Sequence, residues 1–245
     1  MCLLCGLTTP GKAQPLHRRA FMAGAVAGAF ASMLARAEKH ERAPKPQNTI
    51  SPDAALQRLV DGNQRFREGS EKPQNFRAER EALLRGQNPF AAVLSCADSR
   101  LAPAYVFDSK LGDLFNIRIA GNFAAPEVVA SFEYAVLKLN TPLLMVLGHE
   151  KCGAVDAALQ TAKTGERLPG HLPLLAEAIA PALAGVHARR PEDELAAAIN
   201  HNIQINVATL KAASPILDHA VTDKKIRVVG GLYRLESGQV DILYP

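Results

Sequence analysis

The sequence predicts an α/β fold built on a mostly parallel sheet, with helices on both faces and a helical arm at the N-terminus. Short, wholly apolar runs alternate with longer segments of helical periodicity, which is typical of parallel strands buried on both faces. The 245 residues are 48% hydrophobic and 21% charged, a composition that supports one such domain and excludes a disordered chain. We expect about four parallel strands and one antiparallel edge strand.

The arm is predicted as two helices. Ser51, Pro52 and Asp53 stand in the order of an N-cap, a first helical residue and a first-turn acid. Apolar residues then recur at helical spacing through about residue 68. A second, shorter helix is predicted over 75–86, where a glycine ends it.

The sheet elements follow the arm in order. Buried strands are predicted at 90–95, 114–119, 143–148 and 226–230, and a closing hairpin at 232–235 and 239–243. Helices are predicted at 126–138, 152–162, 171–184 and 192–213. Ligands of parallel sheets bind at the carboxyl ends of strands, and Cys96 and His149 each follow a buried strand. We therefore expect these two side chains to meet at one edge of the sheet.

The first 37 residues carry the basic excess of the chain. The whole sequence has 28 Lys and Arg against 24 Asp and Glu, and four of the basic residues (Lys12, Arg18, Arg19 and Arg36) lie in this segment, which contains no acid. Residues 38–245 therefore hold equal numbers of acidic and basic residues. This balance does not favour a nucleic acid as partner.

This basic segment has the pattern of an export signal. The paired arginines precede an uncharged stretch rich in Ala and Gly, and Ala35-Arg36-Ala37 is a small-x-small cleavage site. Arg-Arg-x-Phe resembles a twin-arginine signal, so we expect cleavage after Ala37 and a periplasmic or otherwise exported protein without stable membrane association. The alternative is a retained membrane anchor, for which the uncharged stretch is short. The predicted domains are a signal peptide at 1–37, a linker at 38–50 and one domain at 51–245.

Four side chains that can bind a metal lie in two short motifs. Cys96 and Asp98 belong to the first, and His149 and Cys152 belong to the second, at the turn between a strand and a helix. Two thiolates, an imidazole and a carboxylate suit tetrahedral zinc better than magnesium or calcium. Two alternatives stay open at this point: each cysteine as a small apolar core residue, or a disulfide between them in an oxidising compartment.

These motifs, with others along the chain, resemble the signature of the β-class carbonic anhydrases. The resemblance covers roughly residues 51–245 and rests on eight short segments. They are Gly-Gln at 86–87, Cys-Ala-Asp-Ser-Arg at 96–100, Gly-Asp-Leu-Phe-Asn-Ile-Arg at 112–118, Ala-Gly-Asn at 120–122, Glu-Tyr-Ala-Val at 133–136, Gly-His-Glu-Lys-Cys-Gly at 148–153, Val-Gly-Gly-Leu-Tyr at 229–233 and Ser-Gly-Gln-Val at 237–240. It implies the fold of that family for the predicted sheet.

The resemblance implies reversible hydration of CO₂ to bicarbonate and a proton through zinc-bound hydroxide, with one zinc ion per subunit. Cys96, His149 and Cys152 would hold the metal, with water or Asp98 as the fourth ligand. Arg100 would pair with Asp98 and keep it ionised, while Asp98 orients the nucleophile by accepting its hydrogen bond. Asp98 and Arg100 are the catalytic residues on this interpretation.

The resemblance also implies the substrate contacts and the assembly. Gln87 would donate a hydrogen bond to an oxygen of CO₂ or bicarbonate. Phe115, Ala120 and Tyr134 would line a small apolar pocket, which suits a substrate without net charge. The family forms homodimers, so we expect a homodimer or a larger dimer-based oligomer, in which the helices at about 51–85 pack across onto the neighbour.

One departure from the family pattern bears on the resting state. Some members close the site by binding the aspartate to zinc, and bicarbonate in a side pocket that contains a Trp three residues before the first Cys steadies that form. Here Val93 occupies that position, Ser95 replaces the usual Gly, and the chain has no Trp. We therefore expect the open form, with Asp98 paired to Arg100.

Two other functions could use the same proposed zinc ligands. A related hydrolase of carbon disulfide or carbonyl sulfide would use the same metal and the same apolar pocket. A structural zinc module or binding protein would close the site with four protein ligands, but such a site has no need of an orienting carboxylate. Gln87, Asp98 and Arg100 together favour CO₂.

Overall fold

The structure is a computed structural model that describes residues 50–184, 186 and 190–244. The signal peptide predicted at 1–37 and all of the linker except Ile50 lie outside the described residues. None of the helices in the described part of the chain is long and apolar enough to cross a membrane.

Helices and strands alternate through most of the described chain. The helices are α1 Pro52–Glu68, α2 Phe76–Ala82, α3 Pro103–Val106, α4 Pro126–Leu139, α5 Gly153–Thr164, α6 Leu172–Leu183, α7 Glu194–Ala212 and α8 Pro215–Thr222, with a 3₁₀ turn at Pro191–Asp193. The strands are β1 Ala91–Ser95, β2 Leu114–Arg118, β3 Leu143–His149, β4 Arg227–Tyr233 and β5 Val240–Leu243.

The five strands form one sheet in the order β2-β1-β3-β4-β5. The first four are parallel, and β5 runs antiparallel to β4 at the edge. Helix α7 packs on β3 and β4, α4 packs on β1 and β2, and α1 contacts β3. The predicted α/β fold with four parallel strands, one antiparallel edge strand and flanking helices is confirmed.

The start of α1 follows the predicted capping pattern. Ser51 has an extended backbone, and its hydroxyl accepts a hydrogen bond from the Ala54 N–H at 3.2 Å. Gly69 ends the helix with a φ of 64°, which glycine adopts without strain. Ala55 and Leu59 are fully buried, so α1 packs on the core of its own domain.

Three predicted elements differ from the structure. The predicted strand at 226–230 and the first arm of the hairpin are one continuous strand, β4, so separating them was wrong. The glycine at 230 does not end the strand. It is needed there because a Cβ would stand 2.7 Å from Ile203 on α7. The helix expected at 75–86 ends at Ala82, and the short helices α3 and α8 were not predicted.

Gly62 of α1 packs against the backbone of Phe107, the residue that follows α3. A Cβ at Gly62 would lie 2.0 Å from the Phe107 carbonyl oxygen, and no side-chain rotation can relieve a clash with the backbone. We expect Gly62→Ala to lower the free energy of unfolding by about 3 kcal/mol or more, the upper end for overpacking. The midpoint of urea unfolding measures this loss. Gly86→Ala is the control, because its Cβ would meet nothing within 4 Å; equal midpoints for the two variants would contradict the close approach.

Candidate metal centre

Two neighbouring strands and one helix bring three metal-binding side chains together. Cys96 directly follows β1, His149 ends β3, and these strands pair with Ser95 opposite Leu147. Cys152 directly precedes α5. All three residues are buried, and their ligand atoms lie within 4.8 Å of one another. Cys96 and His149 therefore meet at one edge of the sheet, as expected from the sequence.

The spacing of the two sulfurs fits a shared metal ion. Cys96 Sγ and Cys152 Sγ are 3.9 Å apart, and both cysteines are free. Two thiolates on a tetrahedral zinc ion, each about 2.3 Å from the metal, stand about 3.8 Å apart. A disulfide needs about 2.05 Å, so the disulfide that the sequence left open is not formed.

The imidazole of His149 supplies the third ligand atom. Its Nδ1 lies 2.8 Å from the Glu150 carbonyl oxygen, so Nδ1 carries the proton and Nε2 keeps its lone pair. Nε2 is buried and has no hydrogen-bond partner in the structure. An unpaired buried polar atom costs about 1–3 kcal/mol, and a metal ion at this point would remove that cost. The residues therefore fit a zinc ion.

The cluster favours negative charge on sulfur. The interaction with the Cys152 thiol lowers the pKa of the Cys96 thiol to about 4, against the opposing effect of burial, and the Gly121 N–H adds to this. The same interaction raises the pKa of the Cys152 thiol, so the pair carries one negative charge, on Cys96. Burial lowers the pKa of His149, but its interaction with the nearby negative charge of Cys96 outweighs burial and raises that pKa above its usual value. A cation placed among these groups would be attracted by the thiolate.

Asp98 and Arg100 form a two-pronged ion pair beside the cluster. Arg100 Nε donates to Asp98 Oδ1 at 2.9 Å and Nη2 donates to Oδ2 at 2.7 Å, while the Arg100 backbone N–H also donates to Oδ1. These bonds hold the pKa of the Asp98 carboxyl well below its usual range. Asp98 Oδ2 lies 3.9 Å from His149 Nε2, so the ionised carboxylate borders the cluster.

Arg118 fixes the loop that carries Cys96 and Asp98. Its guanidinium donates to the backbone carbonyls of Cys96, Asp98 and Leu101 at 2.8–3.1 Å. No role was predicted for Arg118 from the sequence. Its position at the end of β2, next to the strand that precedes Cys96, could have indicated this role.

Glu150 and Arg234 fix the turn that carries His149 and Cys152. Arg234 Nη1 donates to the Glu150 carboxylate at 2.9 Å, and Arg234 Nε donates to Asp241 on β5 at 2.7 Å. The Leu235 backbone N–H also donates to Glu150, at 3.1 Å. This strap joins the ligand turn to the β4–β5 hairpin. It was not predicted, because the pairing spans 84 positions of the sequence.

The strap gives a testable role to Arg234. We expect Arg234→Ala to leave the Glu150 carboxylate without its guanidinium and to speed the loss of zinc to a chelator about tenfold, a typical effect of losing a group that orients a ligand. Arg227→Ala is the matched control, because Arg227 lies on β4 and pairs with Asp53 on α1. Equal rates of zinc loss from the two variants would show that the strap does not hold the ligand turn.

The four residues predicted to contact the substrate differ in exposure to solvent. Phe115 is half-buried on β2 and its ring stacks on Tyr134 of α4, with centroids 6.2 Å apart. Tyr134 is 49% exposed. Ala120 is half-buried, in the same turn as the Gly121 N–H that contacts Cys96. The side chain of Gln87 is exposed in the loop before β1.

The chain was compared with protein families, curated proteins and solved structures. The family model described as carbonic anhydrase matches residues 91–240. A protein named carbonic anhydrase 2, from Mycobacterium tuberculosis, is 36% identical over 190 residues, which cover 77% of this chain and 91% of that protein. The carbonic anhydrase of Mycolicibacterium smegmatis is 37% identical over 195 residues, covering 78% of this chain and 93% of the relative.

Among solved structures, the β-carbonic anhydrase CcaA superposes with a TM-score of 0.58 at 30% sequence identity, over 78% of this chain and 99% of that one. A tetrameric β-carbonic anhydrase from Sordaria macrospora superposes with a TM-score of 0.59 over 94% of this chain and 98% of its own. At 18% identity, that second likeness shows the fold alone.

Proposed function

The chain belongs to the β-carbonic anhydrase family, and from that premise we propose that its buried Cys-His-Cys cluster binds zinc and hydrates CO₂ reversibly to bicarbonate and a proton. As a member of this family the chain is an enzyme, a carbonic anhydrase. The observation that carries the assignment of the site is the unpaired Nε2 of His149 beside two free thiols.

Cys96, His149 and Cys152 would hold the metal, one ion per subunit. Bound zinc acts as a Lewis acid that lowers the pKa of a water molecule toward about 7, and so supplies a nucleophile at neutral pH. The protein's own contribution is to present two sulfurs and one nitrogen from the rigid ends of two strands and one helix. Three protein ligands with an open fourth position are the usual arrangement of a catalytic zinc site.

Asp98 would orient the nucleophile. An ionised carboxylate only accepts hydrogen bonds, so Asp98 can accept the proton of the nucleophile and direct its lone pair toward CO₂. Arg100 supports this role because it occupies both carboxylate oxygens and keeps the group charged. We infer the open resting form on this basis, with Asp98 as a metal ligand the alternative.

Phe115, Ala120 and Tyr134 would form the apolar wall against which CO₂ lies. CO₂ carries no net charge and donates no hydrogen bond, so an apolar surface binds it without leaving polar groups unpaired. The stacked rings of Phe115 and Tyr134 support this assignment. Gln87 would donate a hydrogen bond to a substrate oxygen.

Stopped-flow CO₂ hydration tests the function. The purified protein is assayed at about pH 6 to 9 as isolated, after removal of metal by a chelator, and after zinc is returned. We expect activity to fall with the zinc content and to return with it. Fully zinc-loaded protein that hydrates no CO₂ over this range would contradict the proposal. Turnover of carbon disulfide or carbonyl sulfide by that protein would then identify the related hydrolase, and its absence would leave a structural site.

We also propose export through the twin-arginine route, on the sequence pattern of residues 1–37. The mature chain would then begin at Glu38, followed by a linker to residue 50 and one domain at 51–245. Sequencing the N-terminus of the periplasmic protein tests this. Replacing Arg18 and Arg19 with lysines should retain the chain in the cytoplasm, and unchanged export would contradict the route.

We propose a homodimer or a larger dimer-based oligomer in which the N-terminal arm packs on the neighbouring subunit. Helix α2 has no buried residue within its own chain, and Phe76, Leu84 and Tyr105 are 56%, 80% and 64% exposed. Burying these side chains against a second subunit would remove their apolar surface from water, which favours association. Light scattering of the purified protein tests the assembly, and a monomer at micromolar concentration would contradict it.

A further inference from the structure

Two buried asparagines lie one helical turn apart on α7, and both bond the turn that precedes α4. Asn202 is 1% exposed and Asn206 is 6% exposed. A buried amide is costly unless its polar atoms are paired. The bonds that pair these amides therefore indicate what they hold in place.

The amides clamp the turn between β2 and α4. Asn202 Nδ2 donates to the Gly121 carbonyl oxygen at 2.8 Å. Asn206 Nδ2 donates to Asn202 Oδ1 at 3.0 Å and to the Asn202 carbonyl oxygen at 2.8 Å. Asn206 Oδ1 accepts from the Ala124 backbone N–H at 2.6 Å. The turn is thus fixed at two points by one helix.

This turn contacts the metal centre directly. The Gly121 backbone N–H donates to Cys96 Sγ at 3.4 Å. Gly121 has a φ of 86°, and a Cβ there would stand 2.6 Å from Ile179, so the turn allows only glycine. A chain of hydrogen bonds therefore runs from α7 through Gly121 to one sulfur of the cluster.

We propose that Asn202, supported by Asn206, is a positioning residue that sets the electron-donating strength of the Cys96 thiolate through the Gly121 N–H. The proposal rests on the proposed function, since it takes Cys96 to be a metal ligand. An N–H directed at a thiolate withdraws charge from the sulfur and weakens its donation to a metal. Without the Asn202 amide, the Gly121 carbonyl loses its anchor, the residue is free to shift, and the bond from its N–H to the sulfur lengthens.

The test compares Asn202→Ala with a matched control, Asn63→Ala. Asn63 is also a buried asparagine, 5% exposed, but its bonds join α1 to Val106, Gly238 and Val240 and include no residue that bonds the cluster. Both variants lose a buried amide, so a general loss of stability affects both. Asn206→Ala is a second variant that acts one bond further from the sulfur.

Two measurements separate the variants, and neither uses activity. The first is the thiolate-to-cobalt charge-transfer absorption of the cobalt-substituted protein. We expect Asn202→Ala to move this band to longer wavelength, because a more electron-rich sulfur is easier to ionise, and Asn206→Ala to move it less. The second is the rate of zinc loss to a chelator, which we expect to fall in Asn202→Ala, because a sulfur that donates more charge binds the ion more tightly. Asn63→Ala should match the wild type in both.

Several outcomes would overturn the proposal. One is a band and a zinc-loss rate in Asn202→Ala that equal those of Asn63→Ala. Another is failure of both α7 variants to fold while Asn63→Ala folds, which would make the amides a folding element only. A wild-type protein that takes up no zinc or cobalt would instead overturn the proposed function, so the two failures are distinguishable.

Discussion

Cys152→Ser is expected to abolish zinc retention and to lower CO₂ hydration to the uncatalysed rate. Cys152 is 1% exposed and supplies one of the two sulfurs, 3.9 Å from the other. A serine hydroxyl is not ionised at neutral pH and does not replace a thiolate as a zinc ligand. Only one sulfur and one imidazole would then remain to hold the ion.

Zinc content by mass spectrometry and the stopped-flow rate of CO₂ hydration, measured on the same sample, check this prediction. Val155→Ala is the control, because Val155 lies in the first turn of α5, is equally buried at 1% exposure and supplies no ligand atom. The control should retain zinc and activity. A Cys152→Ser protein with one zinc per chain and wild-type activity would show that the cluster is not the metal site.

Arg100→Ala is expected to lower CO₂ hydration at neutral pH about 100-fold, the lower range for losing a group that controls proton position. Its guanidinium occupies both oxygens of Asp98. Without it, the Asp98 carboxylate is free to turn toward the cluster, where it would compete for the open metal position. Hydroxide competes better as its concentration rises, so we expect the lost activity to return in part at alkaline pH.

The lowered pKa of Asp98 sets the pH range over which Asp98 and Arg100 stay paired. Arg100 holds the pKa of Asp98 below the ordinary value of about 3.9. The pairing is therefore complete above about pH 4 and is lost only as pH falls through the lower folded-state value. Protonation of Asp98 cannot explain a loss at neutral pH in the variant, because even an unshifted carboxyl is ionised there.

Rates at about pH 6 to 9 check the Arg100 prediction. Arg77→Ala is the control, because it removes an exposed arginine from its ion pair with Glu81, one turn away on α2. That variant should retain wild-type rates across the range. An Arg100→Ala profile parallel to that of the wild type, lowered by one factor at every pH, would contradict competition by Asp98.

Where the sequence predicted the fold, the physical signal was local. Wholly apolar runs give the central strands because both faces of the sheet are covered, and Ser51-Pro52 gives the start of α1. The same Ser-Pro pattern stands at 214–215, where Ser214 caps α8, so this helix was detectable but was missed. The single turn of α3 is too short for periodicity to reveal.

The same contrast between local and long-range signals applies to the residues of the site. Cys96 and His149 are recognisable because their residue types stand at strand ends. The groups that position them are not, because the pairs Arg234–Glu150 and Asn202–Gly121 join segments separated by 84 and 81 positions. Only the folded chain brings these partners together. The strand prediction ended at Gly230 for a related reason. Glycine is required at this position by Ile203, which lies on a different element, α7.

A crystal structure of the zinc-loaded protein at neutral pH tests the central claim most directly. We predict an anomalous zinc peak among Cys96 Sγ, Cys152 Sγ and His149 Nε2, with Asp98 still paired to Arg100. An Asp98 oxygen within about 2.2 Å of the metal, the usual zinc–carboxylate distance, would contradict the open centre. A metal peak at any other side chains would contradict the cluster itself.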